Sequence, residues 1–383
     1  MREDWDIRLF KDVFDLQMGK TPDRKNFSLF EGDNTWVSIK DLDGKYISSS
    51  KECISDEAAK NIKLVKRGTV IMSFKLTVGK TAIAGKDLYT NEAIMAFNLR
   101  NGYDIDASFL YYYLMNYRWE GSNKAVMGIT LNKATISKHK IAIPPKSTQL
   151  SIVSELDKLN ELIQIKKEQL KDYDTLAQSI YYEMFGDPVE NEKGWEVKKF
   201  GEIGTLERGA GISKKDFVDD GLPCIHYGQL HTTFGAYTRK NITFIPKDLL
   251  PKYKIAHSGD LILAITSEDV EGSCKSTAWL GDYDVVVGSD AAIFHHNQNG
   301  IYLSYYTRTK AFYNEKAKYA KGFKVTHIST KEIASISICI PPISIQNTFA
   351  NKIEQIEKQK AIIQKIIMDL ETLLASRMQY WFD

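Results

Sequence analysis

Nothing in the 383-residue sequence approaches a run of roughly 18 apolar residues, so no segment reads as a membrane-spanning helix. Cysteine is scarce and scattered. Cys53, Cys224, Cys274 and Cys339 form no CxxC pair, which argues against a zinc site and fits free, inert thiols in a reducing compartment. The seven histidines include the adjacent pair His295-His296. In an extended segment these would face opposite ways and make a poor metal clamp. The opening Met1-Arg2-Glu3-Asp4-Trp5 is acidic and polar where a signal peptide is basic and then apolar, so a cytoplasmic location is expected. Charge imbalance is missing too. With 51 basic and 49 acidic residues the net charge is +2, which neither points to nucleic acid nor argues against it.

Catalytic signatures are also lacking. An adenine methyltransferase would carry Asn or Asp before Pro-Pro and an aromatic after it. The two double prolines here sit in Ile143-Pro-Pro-Lys146 and Ile340-Pro-Pro-Ile343, without either partner. Gly201, Gly204 and Gly209-Ala-Gly211 read as isolated turns rather than a dinucleotide fingerprint, and no phosphate-binding GxxxxGK loop occurs. A metal-dependent nuclease would need an Asp followed by Glu-x-Lys to hold a hard cation. Asp187 with Glu196 and Lys198 matches loosely, but these residues bracket Trp195 at a domain junction and read far better as solvated charges. No catalytic residue, metal site or cofactor is expected in this chain.

What is present is a duplication. The 43% apolar and 26% charged content is that of a globular protein, and the length suits two ordinary domains. Trp5-Asp-Ile-Arg-Leu-Phe10 returns as Trp195-Glu-Val-Lys-Lys-Phe200, and Gly19 returns as Gly209. Arg67–Met72 matches Ser258–Leu263, and Leu110–Tyr113 answers Leu303–Tyr306. Ile141-Ala-Ile-Pro-Pro145 answers Ile338-Cys-Ile-Pro-Pro342, Gln149 answers Gln346, and Met184-Phe185 answers Trp381-Phe382. The period, about 190 residues, is far too long for a solenoid. Between landmarks the copies diverge, as one scaffold with two different sets of loops would.

Each copy alternates short apolar runs with turns. Thr69–Ser73, Ala93–Phe97, Ile141–Ile143, Ile225, Asp260–Ile265, Asp284–Val287 and Ile336–Ile340 read as strands. Helices are expected over Ala107–Tyr117 and Ile301–Ala317. The result is an α+β domain around a mixed or mostly antiparallel sheet. Each double proline ends a globular part, after which a long helix starts, with Ser147 or Thr148 and Ser344 as N-caps. Alternating steps of three and four trace a seam through Leu156, Leu159, Ile163, Lys166, Leu170, Tyr173, Ala177, Ile180 and Met184. The second helix gives Ile353, Ile356, Lys360, Ile363, Ile367, Leu370, Leu374, Arg377 and Trp381, with Lys360 and Arg377 interrupting the stripe. This is a coiled-coil period. A lone helix of ~39 residues, ~58 Å long, cannot bury such a stripe by itself. The two helices are therefore expected to pair antiparallel with pseudo-twofold symmetry, although each could instead pack back on its own domain.

These features together resemble the specificity subunits of type I restriction–modification systems. The resemblance rests on Trp5, Phe10, Gly19-Lys-Thr-Pro22, Gly68–Ser73 with Thr77–Lys80, Ile141–Pro145 and Gln149, repeated as Trp195, Phe200, Gly209, Ile338–Pro342 and Gln346. The second copy departs at Gly209–Ile212 and Glu271–Lys275. The resemblance implies target-recognition domains over 1–146 and 187–343, with long helices over 147–186 and 344–383. It implies that each domain reads one half of a split, asymmetric target in double-stranded DNA, and that the helices set the spacer. It implies two methyltransferase subunits as partners, and restriction subunits in the full complex, with S-adenosylmethionine, ATP and magnesium used by those partners.

DNA contact then falls to polar loop residues. Lysines and arginines neutralise phosphates, while amides, arginines and other polar groups read base edges. The candidates in the first copy are Lys20, Thr21, Arg24, Lys25, Lys40, Lys45, Lys75, Lys80, Lys124, Thr130, Asn132 and Lys133. In the second they are Arg208, Lys214, Lys215, His226, Tyr227, Gln229, Ser267, Lys275, Lys321, Lys324, Thr326 and His327. Three other readings compete: the specificity subunit of a type II-like bipartite system, a stand-alone nuclease using Asp187, Glu196 and Lys198, and a coiled-coil scaffold that binds only protein.

Overall fold

A computed structural model describes residues 5–119, 123–125, 128–209, 211–212, 214–247, 253–320 and 325–383. The chain divides into two compact units, one of Met1–Lys167 with Lys365–Asp383 and the other of Glu168–Gln364.

In the first unit a five-stranded sheet runs in the order Phe14–Met18, Ile94–Leu99, Val70–Ser73, Thr81–Ala84, Tyr46–Ile47. Its pairs are antiparallel except the last. A three-stranded sheet joins Glu52–Ile54, Asn34–Val37 and Tyr89–Thr90. The second unit repeats this plan. Gly204–Arg208, Ala291–His296, Leu261–Ala264, Ser276–Trp279 and Tyr237–Thr238 form its five-stranded sheet, beside a four-stranded sheet of Thr243–Ile245, Leu222–Ile225, Val285–Val287 and Lys254–Ala256. The repeat holds at the level of register, since Met18 faces Met95 as Arg208 faces Ala292, and Ser73 faces Ile94 as Ala264 faces Ala291.

The repeated landmarks are the residues that close each domain. The strand after Trp5 pairs with the strand before the first double proline, placing Asp6 opposite Ile143, and Glu196 lies opposite Ile340 in the same way. Phe10 and Phe200 are fully buried at the end of these ribbons. Gly19 and Gly209 each leave the edge strand where a side chain has no room, because a Cβ would lie 2.1 Å from Thr90 O or 2.2 Å from Gly288 O. Tyr113 Oη accepts from Ala142 N at 3.0 Å, and Tyr306 Oη accepts from Cys339 N at 3.3 Å. Gln149 and Gln346 are buried polar hubs. Gln149 donates to Pro144 O and accepts from Asp106 N, while Gln346 donates to Pro341 O and accepts from Asn299 N. Each therefore ties the start of a long helix to the cap of a short one, and leaves no buried donor unmatched.

The long helices run Lys146–Phe185 and Ile343–Phe382. Pro145 O and Pro342 O accept their first helical bonds, from Gln149 N and Gln346 N. Ser147, Thr148 and Ser344 thus lie inside the first turn rather than capping it. The expected single helix over Ile301–Ala317 is also corrected, to Gly300–Tyr306 and Lys310–Ala317. Thr309 Oγ1 accepts from Phe312 N and starts a new helix, while Thr307 and Arg308 turn back onto Ser304.

Each unit contains the beginning of its own domain's helix and the end of the other helix. In the first unit Ile152 and Leu156 share a core with Leu374, Trp381 and Phe382, whose ring lies 5.8 Å from Phe109 and 5.7 Å from Tyr113. In the second, Phe349 and Ile353 share a core with Ala177, Tyr181 and Phe185, whose ring lies 4.7 Å from Tyr302. The two segments run antiparallel within each unit. Glu155 meets Arg377 and Lys167 meets Glu371 in the first, and Asp174 meets Lys360 in the second. Leu156, Ile163, Ala177, Ile353, Ile356, Ile363 and Ile367 are buried. Leu159, Leu170, Tyr173, Ile180, Met184, Leu370, Leu374 and Trp381 are half-buried. No helix among the described residues is long and apolar enough to cross a membrane.

Candidate nucleic-acid interface

In the first domain one end of the five-stranded sheet gathers several of the candidate residues. Lys20 follows the Gly19 crossing, and its N–H donates to Thr90 O at 2.9 Å. The Thr21 hydroxyl donates to the Glu92 carboxylate. Partial desolvation works against that carboxylate, yet the Thr21 bond and the charges of Lys75 and Arg24 hold it below the usual range. The hairpin Val70–Ser73 to Thr81–Ala84 carries Lys75 and Lys80 beside it. Leu131 N donates to Phe74 O, bringing Asn132 and Lys133 to the same end. Asn132 Oδ1 caps the helix Lys133–Lys138 by accepting from Thr135 N at 2.8 Å. Lys20, Lys80, Asn132 and Lys133 are exposed, and Lys75 is half-buried.

Two other candidates in this domain, Arg24 and Lys45, have intramolecular partners. Arg24 grips both oxygens of Glu52, with its guanidinium 4.5 Å from the Phe30 ring centre and 5.1 Å from that of Trp36. Lys25 and Lys40 are exposed, Lys40 on the short turn Ile39–Asp41. Lys45 lies at the opposite edge of the sheet, where its ammonium is 2.5 Å from Asp157 on the long helix, which also receives the Tyr112 hydroxyl at 2.5 Å. The second domain has the same clamp between Arg239 and Glu354, at 2.9 Å. Lys45 is thus a strut between sheet and helix rather than a group presented to a duplex.

In the second domain the matching end of the sheet is built differently. Lys80 and Lys275 occupy equivalent places, each just after a residue of positive φ (Gly79 at 91° and Cys274 at 58°) whose N–H closes the hairpin. The second hairpin is longer. Its Thr266–Ser267 pairs antiparallel with Thr326–His327, placing the His327 ring 3.1 Å from Thr266 Oγ1. The buried Lys316 donates to Glu271 O and Ser273 O and fixes the base of this loop. Arg208 Nε donates to Ser289 O at 2.8 Å beside Asp290, which accepts from Thr266. His231 contacts Thr266 O at 3.2 Å, and Lys275 donates to His231 O at 2.7 Å. The His226 and Tyr227 rings lie 4.6 Å apart, tilted by 51°, at the start of the helix Tyr227–Thr232.

Arg208, His327, His226 and Tyr227 therefore sit around one surface, and Lys215 is exposed. Ser267, Thr326 and Gln229 are buried, with Gln229 bonded to His226 N and Thr243 Oγ1. These three shape the surface from beneath. Lys321 and Lys324 lie outside the described residues, as do the side chains of Lys124, Thr130 and Lys214. Thr266, His231, Asp290 and Glu92 are part of the arrangement without having been singled out in the sequence. They are placed by contacts between segments distant in sequence.

The geometry gives no catalytic constellation at Asp187, Glu196 and Lys198. Asp187 Oδ1 accepts from Val189 N, and Glu196 is paired with Lys198 at 3.2 Å. Among the described residues no group of three or more His, Cys, Asp or Glu is placed to hold a metal ion. Burial pushes the Cys274 thiol up to about 12, leaving it without thiolate character.

Comparison with known proteins agrees with this layout. The type I restriction modification DNA specificity domain matches residues 2–172 and again 192–372. The type I restriction enzyme MjaIX specificity subunit of Methanocaldococcus jannaschii is 23% identical, over 97% of this chain and 91% of its own length. The MjaVIII specificity subunit of the same organism is 22% identical, over 97% and 92%. Among solved structures, one from a study of complex assembly and conformational transition of the type I R-M system has a TM-score of 0.62 at 17% identity, covering 100% of this chain and 98% of that one. The type I restriction-modification S subunit from M. genitalium has a TM-score of 0.54 at 14% identity, covering 99% and 96%. Matched once in each half and across most of its length, the chain belongs to the type I restriction modification DNA specificity domain family.

Proposed function

We propose that this chain is the non-catalytic, DNA-reading subunit of a type I restriction–modification complex. Each domain reads one half of a split, asymmetric target. Two methyltransferase subunits dock on the chain and modify adenine within the site, and restriction subunits join them in the full complex. S-adenosylmethionine, ATP and magnesium serve those partners. The two long helices set the spacing between the half-sites, and the complex works in the cytoplasm.

One observation carries this reading. Two domains share a sheet register strand for strand, yet present different side chains at the same end of the sheet. The first offers Lys20, Lys75, Lys80 and Asn132, and the second Arg208, His226, Tyr227 and His327. Such a design holds two surfaces on one scaffold while letting each recognise a different sequence.

The test exchanges residues 1–146 for the corresponding segment of a relative and sequences the methylome of cells that also carry the methyltransferase subunits. One half of the methylated motif should change and the other should stay. A change in both halves, or methylation by the purified chain without partners, would overturn the reading.

A further inference from the structure

The tip of the first domain's hairpin is an unusual piece of backbone. Ser73 N donates to Lys80 O and Gly79 N to Ser73 O, closing the loop Phe74–Gly79 between two sheet strands. Within it Leu76 has φ 63°, in the left-handed region that a residue with a branched, bulky side chain rarely occupies, and its side chain is 70% exposed. Either feature alone would be unremarked, since single exposed leucines are common. Together they place an apolar group in water on a backbone that disfavours it.

The loop does not relax because it is fixed from below. Phe74 is buried, its N–H bonded to Ala93 O and its carbonyl to Leu131 N. The Ser73 hydroxyl donates to Thr77 O and accepts from Lys80 N. Strain held by an over-determined surround is a feature of working sites. The flanks of the tip are cationic, with Lys75 on one side and Lys80 on the other, at the end of the sheet that also presents Lys20 and Asn132. In the second domain the corresponding hairpin instead folds its extra residues into a strand pair with Thr326–His327. Among the described residues the second hairpin itself carries no exposed, left-handed apolar tip of this kind, so the feature differs between the halves, as a determinant of one half-site would.

We infer that Leu76 is an apolar reading contact of the first domain: it enters a DNA groove against base edges while Lys75 and Lys80 hold the flanking phosphates. Apolar side chains read the thymine methyl or wedge at a base step, and basic neighbours supply the sequence-independent affinity. This rests on the DNA-reading function proposed above.

The experiment uses the full chain assembled with its methyltransferase subunits, as wild type, Leu76→Ala and Leu76→Asn. Asparagine tolerates the left-handed conformation, so Leu76→Asn should keep the wild-type thermal midpoint or exceed it while losing the apolar tip. Binding is measured at one salt concentration, on a duplex carrying the methylated motif and on an unrelated duplex. Both variants should bind the motif about tenfold more weakly, as loss of one base contact implies. Binding to the unrelated duplex should be unchanged, and the methylated motif should relax in the first half only. Equal weakening on both duplexes, no weakening on either, or a change in the second half would overturn the inference. A wild-type complex that prefers no duplex and methylates no motif would overturn the DNA-reading function with it.

Discussion

Arg377 grips both carboxylate oxygens of Glu155, and Trp381 Nε1 donates to the same carboxylate at 3.0 Å. The sequence places Arg377 near the end of an apolar seam, where a charge is an interruption. The structure explains it, since Glu155 stands on the facing helix segment of the same unit. The pair and the Trp381 indole pin the last turns of the chain against the first turns of the central helix. Arg377 and Trp381 hold the Glu155 carboxyl below its usual range, against a smaller effect of burial. Glu155→Ala should therefore loosen the end of the C-terminal helix without unfolding the sheet. Amide hydrogen exchange over residues 374–382 should accelerate by about tenfold or more, while strand amides of 94–97 stay protected. Equal acceleration in both segments would mean the pair supports the whole unit.

Lys45 and Lys80 look alike in the sequence and differ in the structure, which makes their contrast a test. Lys45 is occupied by Asp157 and sits at the far edge of the sheet, whereas Lys80 is exposed beside the hairpin tip. In the assembled complex Lys80→Ala should weaken binding on all duplexes and reduce the slope of log affinity against log salt by about 1. Lys45→Ala should leave that slope alone and lower the urea midpoint instead. A reduced slope for Lys45→Ala would return it to the DNA surface.

The separation of these two lysines marks where sequence reading stops. Residues that close the fold were legible because their constraint is local. A buried Trp or Phe beside a strand, a Gly at a crossing and a double proline before a helix each leave a mark at one position, and the duplication showed every mark twice. The coiled-coil period was legible for the same reason. What could not be read is which loops meet. Thr266–Ser267 pairs with Thr326–His327 some 60 residues away, and no periodicity announces that pairing. The break between Tyr306 and Lys310 was hidden because the helix pattern runs through Thr309, whose side chain caps a new start by accepting from the backbone N–H of Phe312.

His296 gives the fold a pH dependence of known sign. It ends a central sheet strand, its Nδ1 accepts from Gln298 N at 3.2 Å, and burial, with the neighbouring His295, holds its pKa down to about 4. In the unfolded chain it titrates at about 6.5. The folded state thus resists a proton that the unfolded state accepts. The stability this neutral imidazole contributes is fully present above about pH 6.5 and is lost as pH falls from there toward 4, by at most about 3 kcal/mol. His296→Asn keeps an acceptor for Gln298 N and removes the titration. Denaturant unfolding at pH 7 and pH 4.5 should show a smaller acid-induced loss for the variant than for wild type. Equal losses would place the acid sensitivity elsewhere.

The spacing role proposed for the long helices can be tested through their continuity. The central helix runs unbroken from Lys146 to Phe185, and Asp172 lies on its exposed side. Four residues inserted after Asp172 add ~6 Å along the axis, and shift the heptad phase in a way that a coiled coil absorbs by local unwinding. The bases read by each domain should not change, because no loop is touched. If the helices set the spacing, the gap between half-sites in the methylated motif should lengthen by one or two base pairs, at ~3.4 Å each. A seven-residue insertion keeps the seam in phase and adds ~10.5 Å. That also turns one reading surface relative to a groove that repeats every ~34–36 Å, so loss of methylation is the expected result there. Methylome sequencing of the four-residue variant decides between the outcomes: an unchanged gap with full methylation would show that something other than these helices measures the distance.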